Sequence, residues 1–297
     1  MDLRQLEYFV AVAEEANFTR AAQRVHVSQS GVSAQIKQLE RELGADLFDR
    51  STRAVRLTTA GEAALGHARA ALASAQAVGQ VVDETSRLLR GRLGVGMVVG
   101  CAITPFFDAL ASFHEAHPGV AIAVREGSSD QLIDELRGGS VDLCLVGCAH
   151  RPPEDLASMV IVSEGLTAVV PPGHELARRK TTTLAQVTKH PVVCMPPGTG
   201  LRAVFDQACA ARGIRATINV EAAAAESIAD LAARGLGVGV LSTSLAAIHQ
   251  ARLHPAAIHD VTIPALLAIL WRHNGGIAAS ELAQRCRTAF GIEAPAA

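Results

Sequence analysis

The hydrophobic pattern of the chain changes near residue 92, and this change constrains the fold more than any other feature. Before it, apolar residues recur at three- and four-residue steps, which is typical of amphipathic helices. From Leu93 onward, short β-rich stretches alternate with helical ones, which indicates α/β layers around mainly parallel sheets. The length of 297 residues also exceeds what one core usually requires. The sequence therefore predicts a helical N-terminal domain followed by a larger α/β domain.

Composition excludes several classes of protein. Hydrophobic residues make up 49% of the chain, which is too many for a disordered polymer. Aromatic residues amount to 3%, which argues against a stacking platform for single-stranded nucleic acid. The net charge is −2, so contact with a polyanion requires a local patch. No apolar stretch is long enough for a bilayer, no signal sequence is evident, and the cysteine spacings are not those of a disulfide framework. We therefore expect a cytoplasmic protein without a membrane partner.

Residues 18–43 predict a helix-turn-helix, two short helices joined by a tight turn. Thr19 is placed to cap the first helix and Ser28 to cap the second, which Gly44 ends. The apolar stripe of the second helix consists of Val32, Ile36, Leu39 and Leu43. A polar set lies near its start or one turn further along, at Gln29, Ser30, Ser33 and Lys37. Small hydrogen-bonding side chains at this place can reach base edges in the major groove, although a solvated helix face would show the same residues.

The segment after this helix favours base reading over a merely solvated face. Leu47–Leu57 has the pattern of a short hairpin wing, and it carries Arg50, Arg53 and Arg56. Guanidinium groups beside a reading helix are well placed for phosphates or a narrow minor groove. Residues 1–59 hold eight basic and eight acidic side chains, so the interpretation depends on placement and not on net charge.

A long helix is predicted after the wing. Thr59-Ala60-Gly61-Glu62 has the spacing of a capping box, and the helical pattern continues to about Leu89. A helix of this length spans roughly 45 Å. A free-standing helix this long needs a partner, so the pattern favours a dimerisation helix over one that lies on its own domain.

The first sixty residues resemble the LysR-type transcriptional regulators. The matching segments are LRQLEYF at 3–9, FTRAA at 18–22, VSQSGVS at 27–33, QIKQLE at 35–40, LG at 43–44, LFDR at 47–50 and LTTAG at 57–61, with weaker matches at 116–118 and 139–143. The resemblance implies a regulator that binds double-stranded promoter DNA, forms homodimers that assemble into homotetramers, and alters DNA binding or bending when a small molecule binds. It also implies DNA contacts from Thr19, Arg20 and Ser28.

The implied fold class is α + α/β, in three parts. A winged helix-turn-helix covers residues 1–59, a linker helix 60–90, and a two-lobed effector domain 91–297, like a small periplasmic binding protein. Placing the two chain crossings near Val162-Ser163 and Ile263-Pro264 gives a first lobe of residues 92–161 and 266–297 and a second of 163–263.

Loops at the carboxyl ends of strands, leading into helices, are the candidate effector site. Exposed N–H groups and positive helix ends there favour an anionic, carboxylate-bearing metabolite. The candidate contacts are Gly100, Cys101, Thr104, Ser128, Ser129, Gly147, Cys148, Thr199, Gly200, Arg202 and Glu226. Plain helix caps remain an alternative for each Ser and Thr, a surface position for Arg202, and dipole compensation for Glu226. Family members that act in aromatic catabolism often carry an arginine where this chain has Gly147, which weakens an aromatic-acid assignment.

Two other functions remain open. In a thiol-responsive regulator, Cys101 and Cys148 could face each other across the cleft, but the family's disulfide switch lacks its reactive cysteine because Gly200 stands nine residues before Cys209. A metabolite-binding or transport-type module without DNA function is opposed by the first sixty residues.

We expect no enzyme, since neither a Gly-x-Ser-x-Gly elbow nor a phosphate loop is present. We also expect no cofactor or metal, because the His114–His117 and Cys144–His150 spacings are loose for zinc.

Overall fold

The computed structural model describes residues 1–49, 55–84, 91–101 and 103–292 and divides into two compact units. Unit 1 contains residues 1–90 together with 134–141, and unit 2 contains residues 91–133 and 142–297. In the described part of the chain, no helix combines the length and the apolar character needed to cross a membrane.

Unit 1 contains the predicted winged helix-turn-helix, and the prediction of its fold is confirmed. Its elements are α1 (Leu3–Glu15), α2 (Phe18–Arg24), α3 (Gln29–Leu43), β1 (Phe48–Asp49), β2 (Arg56–Leu57) and α4 (Thr59–Glu84). The core consists of side chains that are almost fully buried, among them Phe9, Val12, Val32, Ile36 and Leu39. The ring of Phe48 packs edge-on against Phe9 and Phe18, with centroids 5.5 and 5.8 Å away.

Two details of the helix-turn-helix prediction are wrong. Asn17, and not Thr19, caps α2, because its Oδ1 accepts hydrogen bonds from the N–H groups of Thr19 (2.8 Å) and Arg20 (3.1 Å). Leu43 is 47% exposed, since the last turn of α3 extends past the core that Val32, Ile36 and Leu39 fill. The predicted caps at Ser28 and Gly44 are confirmed: Ser28 Oγ accepts the N–H of Gly31, and Gly44 ends the helix with φ +70°.

The long helix α4 is capped one residue earlier than predicted. Thr58 Oγ1 accepts the N–H of Gly61 at 3.0 Å and donates to the carbonyl of Asp46 at 2.6 Å, so the hydroxyl of Thr58 replaces the capping box expected at Thr59. The helix is described to Glu84, and its predicted continuation to Leu89 lies outside the described residues.

Unit 2 contains two sheets that are joined by two chain crossings. The strands are β3 (Gly91–Val98), β4 (Val120–Gly127), β5 (Leu143–Ala149), β6 (Ala157–Glu164), β7 (Leu166–Val170), β8 (Thr181–Thr182), β9 (Val192–Cys194), β10 (Ile218–Glu221), β11 (Val238–Ser242), β12 (His254–Ile258) and β13 (Ala265–Trp271). The helices are α5 (Thr104–Ala116), α6 (Ser129–Arg137), α7 (Leu184–Val187), α8 (Gly200–Ala211), α9 (Ala225–Ala233), α10 (Thr243–Ile248) and α11 (Ile277–Ala289). Residues of α6 from 134 onward belong to unit 1. A 3₁₀ turn covers Glu175–Arg178.

Lobe I, as we name it, contains the sheet of order β4-β3-β5-β13-β6, and lobe II contains the sheet of order β10-β9-β11-β7-β12-β8. The chain crosses from lobe I to lobe II at Gly165 and returns between Ile258 and Ala265. The sheets are more mixed than predicted: β13 is antiparallel to both of its neighbours, and so is β7. These two strands follow directly after a crossing, so they enter their sheets against the direction of the βα units.

Candidate functional site

The exposed side of α3 gathers the polar residues that the sequence singled out. Gln29, Ser33 and Lys37 are four residues apart and therefore neighbours along one ridge of the helix. Gln29, Ser30 and Lys37 are exposed, and Ser33 is half-buried. The hydroxyls of Ser28 and Ser30 lie 3.2 Å apart at the start of the helix. The ridge offers an amide, hydroxyls and one ammonium group, which suits contact with base edges and phosphates.

A buried acid, which was not predicted from the sequence, holds this helix against the wing. The carboxylate of Glu40 accepts hydrogen bonds from the backbone N–H groups of Leu47 (3.0 Å) and Phe48 (3.2 Å). Glu40 is only 7% exposed, and these two donors stabilise its buried carboxylate. An acid that interrupts the buried side of α3 is the sequence signal that could have identified it. The contact fixes the start of the wing relative to the polar ridge.

The wing is a short antiparallel hairpin in which Phe48 pairs with Leu57 and Asp49 with Arg56. The side chain of Arg56 is exposed, while Arg50 and Arg53 lie outside the described residues. Gly61 lets α4 approach the base of the wing closely. A Cβ at this position would lie 2.2 Å from the carbonyl oxygen of Leu47, so no larger residue fits there without a backbone shift.

An ion-pair network joins three helices of unit 1. Glu14 on α1 contacts Arg24 of α2 at 2.6 Å and Arg69 of α4 at 2.9 Å. Burial opposes ionisation of Glu14, but the hydrogen bonds and charges of the two arginines outweigh it and lower the pKa of the carboxyl. Thr19 and Arg20 are exposed at the start of α2. Arg20 also pairs with Glu15 (3.4 Å), so it would have to exchange this partner to reach a phosphate.

In unit 2, three helices that begin at the cleft between the lobes lack side-chain caps. They are α5, α8 and α9, whose cap residues are Ile103, Thr199 and Ala224. The hydroxyl of Thr199 donates instead to the carbonyl of Pro196 (2.8 Å), and Thr104 is exposed in the first turn of α5. Helix starts without caps leave a positive dipole end and, in α8 and α9, backbone N–H donors for other partners; in α5, Pro105 has no N–H and Phe106 already donates to the carbonyl of Ile103. This arrangement suits an anionic group.

The starts of α5 and α9 belong to loops that meet across the cleft. Gly100 follows β3 in lobe I with φ +69°, and a Cβ there would lie 3.4 Å from the Cβ of Ala224 in lobe II. Cys101 comes directly after this glycine and is half-buried. The predicted contacts Gly100, Cys101 and Thr104 are therefore brought to the same edge as the uncapped start of α9.

The lobes touch directly at a second place in the cleft. Four predicted effector contacts form or support this contact: Ser128, Ser129, Gly147 and Gly200. The N–H of Asp130 in α6 donates to the carbonyl of Gly198 across the cleft at 3.1 Å. Ser129 is 2% exposed, and its Oγ accepts the N–H of Gly147 at 3.1 Å. Ser128 Oγ accepts the N–H of Gln131 at 3.3 Å, so it acts as the cap of α6. The sequence singled out these four residues, but it did not indicate that they would contact one another or the opposite lobe.

Arg202 and Glu226 are bound within lobe II and present no free charge to the cleft. Arg202 pairs with Asp206 at 2.9 Å and with Glu221 at 2.5 Å, and its Nη1 donates to the carbonyl of Met195 at 3.2 Å. Burial opposes the charge of Arg202, but the two carboxylates outweigh it and raise the pKa of the guanidinium. Glu226 likewise forms an ion pair within lobe II, with Arg252. The side chain of Arg202 is 13% exposed, so it is a largely buried ion-pair residue and not a surface one, whereas Glu226 at the exposed start of α9 is consistent with a dipole-compensating carboxylate.

All six cysteines are free thiols. Burial raises the pKa of Cys101 to about 11, and burial together with the charge of Asp130 raises the pKa of Cys148 to about 11. A thiol with such a pKa carries almost no thiolate at neutral pH, so neither cysteine has the character of a reactive one. Among the described residues, no cluster of three His, Cys, Asp or Glu side chains is arranged to hold a metal ion.

Two family models match the chain in succession. Residues 3–62 match the bacterial regulatory helix-turn-helix protein, lysR family, and residues 86–291 match the LysR substrate binding domain. Together they cover both units, and the second alone covers more than half of the chain.

Transcriptional regulators are similar to this chain over most of their length. The HTH-type transcriptional regulator YnfL of Escherichia coli is 35% identical over 268 residues, which cover 88% of this chain and 89% of that protein. AlsR of Bacillus subtilis is 33% identical, covering 82% of this chain and 81% of that protein.

Solved structures show the same fold. Full-length OxyR of Pseudomonas aeruginosa, in a variant with aspartate in place of a cysteine, has a TM-score of 0.71 and 27% identity, with 97% of this chain and 95% of that chain covered. CbnR, a LysR family transcriptional regulator, has a TM-score of 0.58 and 24% identity, with 97% and 99% covered.

Proposed function

Since the chain belongs to the LysR family of DNA-binding transcriptional regulators, we propose that it reads a promoter with α3 and the wing and changes that binding when a small anionic metabolite enters the cleft of unit 2. The family regulates transcription and performs no catalysis. A regulator of this kind needs a surface for DNA and a separate place for the signal, and the two units supply one candidate for each.

The polar ridge of α3 is the main support for the proposal that this protein binds DNA. Gln29, Ser33 and Lys37 are aligned on it, and Ser28 caps the helix at the end where base contacts are made. Arg56 on the wing adds a cation beside it, and Arg50 and Arg53 are expected to add two more. Phosphate contacts from these arginines position the protein, and the ridge distinguishes one sequence from another.

The uncapped helix starts around the cleft are the main support for the proposal that an anionic effector binds there. Backbone N–H groups at the starts of α8 and α9 are donors of the kind that a carboxylate requires, and the start of α5 adds a positive dipole end. Arg202 is held by two carboxylates, so the proposed site uses backbone donors and hydroxyls in place of a bidentate arginine.

The length of α4 supports the proposal that the regulator is a homodimer, with assembly to a homotetramer. The helix covers 26 described residues, and Val78 on it is 66% exposed. A long helix with exposed apolar side chains is stabilised when it packs against a second copy.

A thiol-responsive regulator is the second candidate, and the likeness to the OxyR structure is the observation in its favour. The raised pKa values of Cys101 and Cys148 count against it. Substitution of both cysteines by serine separates the two candidates. We expect the double variant to keep its response to metabolites, whereas a thiol switch would lose its response to oxidant.

The direct experiment is DNase footprinting of the purified full-length protein on the DNA upstream of its own gene. The panel consists of small mono- and dicarboxylates, with their amides as uncharged controls. We expect a protected region whose extent or hypersensitive bands change with at least one acid and not with its amide. A footprint that no acid in the panel alters would contradict the anionic effector, and the absence of a footprint would contradict the promoter assignment.

A further inference from the structure

The two lobes of unit 2 meet at a pair of glycines. Gly147 lies on β5 of lobe I, and Gly200 is the first residue of α8 in lobe II. A Cβ on Gly200 would lie 2.4 Å from the carbonyl carbon of Gly147 and 2.6 Å from the nitrogen of Cys148. A Cβ on Gly147 would lie 3.2 Å from the Cα and nitrogen of Gly200. These opposing atoms across the lobes are main-chain atoms, so they cannot turn aside as a flexible side chain does.

Hydrogen bonds flank the glycine pair. The N–H of Asp130 donates across the cleft to the carbonyl of Gly198, two residues before Gly200. The N–H of Gly147 donates to the buried hydroxyl of Ser129, so β5 presents no unpaired donor at this point. The contact is therefore specific in both packing and polarity.

We propose that Gly147 and Gly200 form a glycine latch, which holds the lobes together backbone against backbone and determines which effectors the cleft admits. The inference rests on the proposed function, because it concerns the cleft in which we place the effector. With the latch closed, positions 147 and 200 offer no side chain to a ligand, and the N–H of Asp130 is already used. Recognition then falls to Gly100, Cys101 and Thr104 and to the backbone N–H groups at the starts of α8 and α9. The latch thus favours a compact effector held on that side of the cleft.

Amide hydrogen exchange in the full-length protein, without any ligand, tests the latch. The reporter is the N–H of Asp130, which bonds across the lobes. The N–H of Asp142 donates to Gly94 within lobe I at 2.7 Å and serves as the internal control. Gly200→Ala must separate the backbones by roughly 1 Å to reach ordinary contact, whereas Gly147→Ala needs only a few tenths of an ångström. Gly173→Ala is the matched control, because nothing lies within 4 Å of a Cβ there.

We expect exchange at Asp130 to rise by roughly tenfold or more in Gly200→Ala and less in Gly147→Ala, with no change in Gly173→Ala and none at Asp142. If Gly200→Ala does not fold, the milder Gly147→Ala still has to show the rise. Equal exchange at Asp130 in the wild type and the folded alanine variants would overturn the latch. Because this readout uses neither DNA nor effector, it stands or falls separately from the promoter experiment.

Discussion

The two units build their functional surfaces in opposite ways. In unit 1, the candidate contacts are side chains on one ridge of α3, and apolar residues at Val32, Ile36 and Leu39 anchor the other side of the same helix. In unit 2, the lobes are joined where side chains are missing, at Gly147 and Gly200. A surface made of side chains can be recognised in the sequence, because residue types recur at the spacing of the helix. A contact between main-chain atoms leaves no such pattern of residue types.

Gly61 tests how far this contrast holds, because unit 1 also contains one backbone contact. Gly61→Ala places a methyl group against the carbonyl of Leu47, and we expect unit 1 to lose about 2–3 kcal/mol of unfolding free energy. Urea unfolding followed by circular dichroism measures the loss. Gly66 on the same helix has open space around it, so Gly66→Ala should instead stabilise by about 0.5–1 kcal/mol. Equal effects of the two substitutions would show that the close approach at Gly61 is not what matters.

Removing side chains from the ridge sharpens the contrast from the functional side. We expect Gln29→Ala and Ser33→Ala each to lose about 1–3 kcal/mol of discrimination between the preferred and altered sites, with little change on unrelated DNA. Competition gel shifts measure the ratio of the affinities for the preferred and the altered site. Gln38→Ala is the matched control, since Gln38 is exposed on α3 but bonds to Glu42 at 3.2 Å. Unchanged discrimination in the ridge variants would remove α3 from the reading surface.

The wing should behave differently from the ridge. Arg56→Ala removes a cation and no base contact, so we expect weaker binding to all duplexes alike and a salt slope that flattens by about one unit. Arg50→Ala and Arg53→Ala are expected to act in the same way. DNA-binding titrations at several salt concentrations measure the slope of the logarithm of affinity against the logarithm of salt concentration. Arg178→Ala, at an exposed position of lobe II, is the control variant. A selective loss on one sequence would assign base reading to the wing.

The smallest expected effect concerns the ion pairs of Glu14. Its pKa in the folded state is lowered from 4.5, so the stability it contributes is complete above that value and is lost as the pH falls through the folded pKa. We expect Glu14→Gln to destabilise at neutral pH by roughly 0.5–1 kcal/mol, and the penalty to shrink as the pH falls below 4.5 and through the folded pKa. Urea unfolding across this pH range measures the difference. A penalty that does not shrink in acid would point to lost packing in place of lost charge.

The fold was predictable from the sequence where periods of hydrophobicity were long. The stripe of α3 and the βα alternation of unit 2 identified the elements, because burial on one side of a helix or both faces of a strand leaves a visible pattern. The short strand β12 and the antiparallel entry of β7 and β13 were not predicted. Both depend on where the chain crosses between lobes, and that is decided by contacts distant in sequence.

The candidate site was predictable in part. The caps at Ser28 and Gly44 and the polar ridge of α3 follow from local chemistry. The role of Glu40 required knowing that the wing folds back onto α3, and the partners of Arg202 lie on another element, at Glu221, as well as on its own helix. Gly147 and Gly200 were named as positions near a ligand, but their mutual contact is invisible to any reading of side-chain pattern.

Selection of binding sites from a pool of random duplexes tests the central claim most directly. The full-length wild-type protein and the Gln29→Ala/Ser33→Ala double variant are compared under the same salt conditions. The account predicts that the wild type enriches a partly palindromic sequence and that the double variant binds with broader preference at the positions facing α3. Enrichment of the same sequence with the same preference by both proteins, or no enrichment by either, would contradict it.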